Sequence, residues 1–400
     1  MSGSALLACL AAALAAPGAP GQQQSQDLPL NAAQRCPWCQ GDPETMRRAG
    51  IVSHGGFEFS TTDTAGVDEL LGGKDIYWIE TEHFRVGFGA GGYKVSQEES
   101  RKIREELTLL SAVLPEVKPK TKILDPWLRT HLYAQRVEEI WDRFLHLMRA
   151  NEADFPDGSE GWVIGSPYHG EGPYAGQKGK YELLVLPTPQ DQVAFLRDQF
   201  GLFFDRTQRW NIVERDALIV ITNIVENDLR DDQALHGHVA FNLTINLLDG
   251  YQHYSYDTPR WISEGLAHFV ERELSPHFNT FDGSEGAVAQ MTSKHDWDGE
   301  VRKLISSGEV PTLAELTNLR TFAEFDIDHH YACWSMTAFL VDTEPEGYAC
   351  LNDRLHGRKD DQGLADGSNM NDHQREAFQE CLGMSYAEFD SAWRTWALER

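Results

Sequence analysis

The stretch DDQALHGHVAFNLTINLLDGYQHYSYDTPRWISEGLAHFVERE, Asp231–Glu273, decides how the rest of the chain is read. Its first half has helical spacing. His238, Phe241, Ile245 and Leu248 recur every three or four residues and make one nearly unbroken apolar stripe. A loop ending at Pro259 leads into a second helix, which carries Glu264 and His268 one turn apart on the same face. His236 and His238 are two positions apart, so on a helix they point about 200° from each other and cannot share one ion. An acid and several imidazoles lie close together in sequence, but the residues between them are hydrocarbon.

The remaining composition narrows the function classes. The chain has 400 residues, 41% of them hydrophobic, and a formal net charge of -27. That acidity repels phosphate backbones and anionic lipid heads, so nucleic acid and membrane surfaces are excluded as natural partners. An apolar run from Ala5 to Ala16, followed by small residues and a Pro/Gly/Gln stretch, reads as a signal peptide over residues 1–21 and implies a secreted or periplasmic protein. No later stretch is apolar enough for membrane insertion. Residues 22–74 read as a disordered leader, over 22–35, and a turn-rich segment containing the CxxC motif. Residues 75–298 read as an α/β core and 299–400 as a helical C-terminal lobe. Within the core, DIYWIETEHFRVGF predicts a strand pair, YELLVLP and DALIVIT predict buried strands, and Ser96 with Glu99 predicts a helix start. A helix ending at Gly201 follows the first buried strand.

TPRWISEGLAHFVE, HHYACWSMTAFLVD and the closing LGMSYAEFDSAWRTWAL together resemble the gluzincin metallopeptidases, in particular their bacterial secreted peptidase-MA-like branch. The resemblance implies an α+β zincin-like fold: a small twisted sheet, an active-site helix, a glutamate helix and a mostly helical C-terminal lobe. In that family two His of an H-E-x-x-H motif and a Glu on the next helix bind zinc, and the Glu of the motif takes the proton from zinc-bound water. Glu264 matches the third-ligand position. Counting back by the family spacing puts Phe241 and Ile245 at the two imidazole positions and Asn242 at the base. A second register, Asp232-Gln233-Ala234-Leu235-His236, keeps one His but places Gln233 at the base, and an amide has no usable pKa for proton transfer. Tyr331 matches the family position of an oxyanion-stabilising residue, although its place before a core stripe equally suits packing.

We therefore expect an exported, catalytically inactive pseudo-peptidase with a binding or structural role, no cofactor, and a protein, peptide or glycan as partner. In this reading Glu264 is buried and pairs with Arg260, a nearby His or backbone donors. The alternative is an active zinc metallohydrolase with an atypical ligand set drawn from Glu264, His236, His238 and His268. On the first reading His268 lies on a polar, solvated helix face. Two or more imidazoles converging with Glu264 on one point would sink the inactive reading.

Cysteines raise a separate question. Cys350 and Cys381 are expected to pair, leaving Cys333 as a buried thiol. Cys36 and Cys39 form a CPWC motif whose preferred reading is a small structural disulfide. Half of a zinc knuckle, with His54 the only further ligand nearby in sequence, and a redox pair are the alternatives.

Overall fold

Strands Tyr181–Leu186 and Ala217–Asn223 are buried at every position, as expected of parallel strands covered on both faces. Around them the computed structural model describes residues 35–159, 168–254, 257–281, 295–319, 322–363 and 366–400. The expected signal peptide and all but the last residue of the expected leader lie outside the described residues.

In chain order the elements begin with α1 (Pro43–Arg48), β1 (Glu58–Phe59), β2 (Thr62–Asp63) and α2 (Thr64–Leu70). The expected strand pair follows as β3 (Tyr77–Glu80) and β4 (Phe84–Phe88), and then come β5 (Tyr93–Lys94), α3 (Ser100–Val113), β6 (Ile123–Leu124) and α4 (Pro126–Met148). Next are β7 (Tyr181–Leu186), α5 (Pro189–Phe200), β8 (Gln208–Ile212), β9 (Ala217–Asn223), α6 (Asp232–Gly250) and α7 (Arg260–Leu274). The remainder is helical: α8 (Trp297–Ser307), α9 (Leu313–Leu316), α10 (Ile327–Thr343), α11 (Pro345–Leu355), α12 (Met370–Leu382) and α13 (Tyr386–Glu399). The fold is α+β, with a small mixed sheet and thirteen α-helices among the described residues. No helix among them is long and apolar enough to cross a membrane.

The five-stranded sheet runs β3-β4-β7-β9-β8, parallel from β4 through β7 to β9 and antiparallel at both edges. Side chains of a strand alternate between faces, and the core divides accordingly. Leu183, Val185 and Val220 join the large cluster that includes Tyr133, Leu243 and Trp261, whereas Leu184, Leu186, Ile219 and Ile221 pack with Trp78, Phe195 and Phe59. The large cluster runs from the sheet through α4, α6 and α7 into α10–α13.

Two expectations change in detail, and one strand had no expectation. The helix expected at Ser96 begins at Ser100, because Ser96 and Glu99 bond each other's backbone N–H and close a separate turn ahead of it. Edge strand β8 carries Gln208, Arg209 and Asn211 and has no apolar run to announce it. Helix α6 buries nearly every side chain rather than one stripe. Other expectations hold. Gly201 caps α5 in the left-handed conformation with φ 69°, and Cys350 is disulfide-bonded to Cys381, joining α11 to α12. Cys333 is a buried free thiol.

A buried ion cluster fixes the start of α6. Asp232 lies 3.1 Å from Arg129 and 2.8 Å from Arg136, and Arg136 reaches Glu106 of α3 at 2.8 Å. Burial works against the charged Asp232 carboxylate, but the guanidinium groups of Arg136 and Arg129 hold its pKa below the usual range. Replacing Asp232 with Ala leaves the buried Arg129 guanidinium without its carboxylate and Arg136 with Glu106 alone. The expected loss is about 3–5 kcal/mol, read as a lower midpoint in chemical denaturation, whereas Arg47→Ala at an exposed pair leaves the midpoint essentially unchanged.

Candidate functional site

Helix α7 lies between α6 and α10, and Gly265 sets its distance from α10: a Cβ there would sit 2.7 Å from the Cys333 carbonyl oxygen. On its other side, Phe241 and Ile245 of α6 pack against Ala267 of α7. The two residues at the family's imidazole positions therefore do face the glutamate helix, as hydrocarbon. Neither side chain can donate to an ion, so a zinc of the H-E-x-x-H type does not fit. Asn242, at the base position, accepts a hydrogen bond from Arg209 at 2.7 Å and donates to the His238 carbonyl at 2.9 Å.

Two imidazoles nevertheless reach Glu264, one from its own helix and one from α10. Its Oε2 lies 3.9 Å from His268 Nε2 and 3.7 Å from His330 Nδ1 of α10. His268 Nε2 and His330 Nδ1 are 3.0 Å apart, within hydrogen-bond distance. One donor atom from each of the three residues lies within 4.8 Å of the others. This corrects the expectation of a solvated His268. The residue is fully buried, because the rings of Phe241, Phe281 and Trp297 surround it and α10 closes over it. His330 stands beside Tyr331 at the start of α10 and has no motif of its own in the sequence.

Glu264, His268 and His330 are each 0% exposed. They line none of the described cavities of about 510, 480 and 220 Å³. A catalytic zinc needs an open coordination position and a nearby base, and among the described residues all three members of this cluster are buried. What it has is a continuous polar chain. His268 Nδ1 lies 3.1 Å from Glu271 Oε2, and Thr280 donates to Glu271 Oε1 from its backbone N–H at 2.8 Å and its hydroxyl at 2.6 Å. The Thr280 hydroxyl is 3.3 Å from His238 Nδ1, and His238 Nε2 is 2.8 Å from the Thr207 hydroxyl, which donates to Glu226. Burial raises the Glu271 pKa well above the usual range despite the Thr280 hydrogen bonds, and burial lowers that of His268 well below its own. Both groups thus favour their neutral forms, which removes the cost of burying charge.

The remaining candidates are dispersed. His238 belongs to the polar chain and not to the Glu264 group. His236 is buried beside Glu106 at 3.9 Å, and Asp232 of the second register is bound by two arginines. Tyr331 is 2% exposed with its ring against Trp297 at 4.9 Å, in the packing role.

Cys36 and Cys39 are free thiols, which corrects the expected small disulfide. Cys36 Sγ lies 3.0 Å from His131 Nε2 of α4, and Cys39 Sγ lies 2.9 Å from His54 Nε2. His131 is 95 residues from Cys36 and carries no local signal in sequence. The Cys36 hydrogen bond, opposed by burial and reinforced by His131 and His54, pulls the Cys39 thiol far below its usual range. The same bond, with burial, pushes the Cys36 thiol up.

Burial, with the charges of Arg136 and Lys102, holds His236 well below its ordinary value of 6.5. Below about pH 6.5 the unfolded chain takes up a proton there that the folded chain refuses, so this contribution to stability is complete above that pH and is lost as pH falls. The urea midpoint of the wild type should therefore drop between about pH 7 and about pH 5.5 more than that of His236→Gln, the gap corresponding to about 1 kcal/mol.

No protein-family model matches this chain, and no curated protein matches it.

Proposed function

We propose that this protein is an exported, catalytically silent member of the gluzincin-like class, with a binding or structural role toward a protein, peptide or glycan. The observation that carries this reading is the packing of Phe241 and Ile245 against Ala267, beside Glu264 and His268. Hydrocarbon sits where metal donors would be needed, and Asn242 occupies the position of the proton acceptor. The layout of a buried active-site helix against a glutamate helix supports the zincin-like assignment, and the loss of its donors supports the loss of chemistry. The acidic charge and the apolar N-terminal run support export.

A second reading is a metallohydrolase using Glu264, His268 and His330. Two imidazoles do converge on Glu264, the arrangement set against the inactive reading from the sequence, and this is the specific observation in its favour. Complete burial and the hydrogen bond between the two imidazoles weigh against it, since hydrolysis needs substrate and water at the metal.

Metal content and peptidase activity separate the two. On the first reading, Glu264→Gln leaves the zinc content of the purified full-length chain unchanged, and wild type with added zinc cleaves no unstructured peptide above a heat-denatured control. Loss of one zinc equivalent in Glu264→Gln, together with loss of a zinc-dependent cleavage present in wild type, overturns it.

A further inference from the structure

We propose that Cys36, Cys39, His54 and His131 form a closed, structural zinc centre of the Cys2His2 type. One donor atom from each lies within 4.8 Å of all the others. A tetrahedral site with metal–sulfur bonds near 2.3 Å and metal–nitrogen bonds near 2.0 Å has sulfur–nitrogen edges of about 3.5 Å. The observed contacts of 3.0 and 2.9 Å are slightly tighter, so ligation needs the donors to move outward by about half an ångström.

The donor set is arranged as ligation requires. Both histidines present Nε2 to the thiols. His54 Nδ1 is 3.2 Å from the Trp78 carbonyl oxygen, which places the proton on Nδ1 and leaves the Nε2 lone pair for the metal. The Trp38 backbone N–H points at Cys36 Sγ from 3.4 Å, a contact that favours the thiolate. The surroundings are apolar, with Ile51, Ile79, Trp127 and Leu128 in the same buried cluster. A dication with two thiolates and two neutral imidazoles carries no net charge, so it can be buried there without a further counterion.

The position in the fold indicates what the metal does. Helix α1 buries none of its residues, and the segment from 36 to 54 sends only Cys36, Cys39 and Ile51 inward as buried hydrophobics. A segment with so little core needs a staple. The four ligands join it to α4 through His131 and to β3 through His54. All four positions are filled by protein, the pattern of a structural rather than a catalytic site.

The test uses the full-length wild-type chain purified without chelator. About one zinc per chain is expected by elemental analysis. Cobalt exchanged into the chain should show a thiolate-to-cobalt charge-transfer band and the strong visible bands of a tetrahedral site. Cys39→Ser and His131→Ala should lose the metal, and Glu264→Gln should keep it. Stripping zinc should raise amide exchange over residues 36–54 while α6, α7 and α10 stay protected. Absence of stoichiometric metal, a native Cys36–Cys39 disulfide seen by mass spectrometry, or zinc retained in Cys39→Ser but lost in Glu264→Gln would each overturn the proposal. Should either ligand variant fail to fold, the cobalt spectrum of the wild type decides by itself.

Discussion

The architecture around Glu264 depends on the close approach of α7 to α10 at Gly265. With the Cys333 carbonyl so near, no larger residue fits, and this contact drives Glu264 and His268 into a sealed interior. Buried polar groups must then find partners. His330 comes from α10, Glu271 from the next turn of α7, and Thr280 connects them to His238 on α6. That constraint places His268, His330, Glu271, Thr280 and His238 in one polar chain through a helix sandwich, with Glu264 beside it.

The same sandwich explains why α6 lacks the amphipathic pattern of a surface helix. It is covered by the sheet and α4 on one side and by α7 on the other, so a polar face would have no solvent to meet. Its start is fixed by charge instead. Asp232 is shared by Arg129 and Arg136, and burial, with the charges of Arg136 and Lys102, lowers the pKa of His236. The positive charges of Arg136 and Lys102 around His236 oppose a metal cation there. Helix α6 therefore contributes its start to the ion cluster and its middle to hydrocarbon packing.

The two clusters of donors differ in ways that separate their chemistry. His268 and His330 are at hydrogen-bond distance from each other with Glu264 beside both, and neutral forms are favoured at His268 and Glu271. Cys36, Cys39, His54 and His131 bring two sulfurs and two imidazole nitrogens together in a segment that has little else to hold it. The first arrangement is buried within the helix sandwich and linked to Glu271 and Thr280, whereas the second, on the proposal above, gains its stability from an ion.

Patterns within single elements were legible in the amino-acid sequence. The buried runs of β7 and β9, the β3–β4 pair, the cap at Gly201, the start of α7 after Pro259 and the apolar residues at Phe241 and Ile245 follow from local propensity and periodicity, which act over a few residues. The pairing of Cys350 with Cys381 was also anticipated. Tertiary structure decided what no local pattern encodes: that His330 comes to His268 from the far side of α7, that His131 joins a CxxC motif 95 residues away, and that edge strand β8 pairs with β9 despite its polar residues. Convergence of donors depends on how helices cross and how closely they approach. Backbone contacts such as that at Gly265 set those distances, and the spacing of residues along one helix does not.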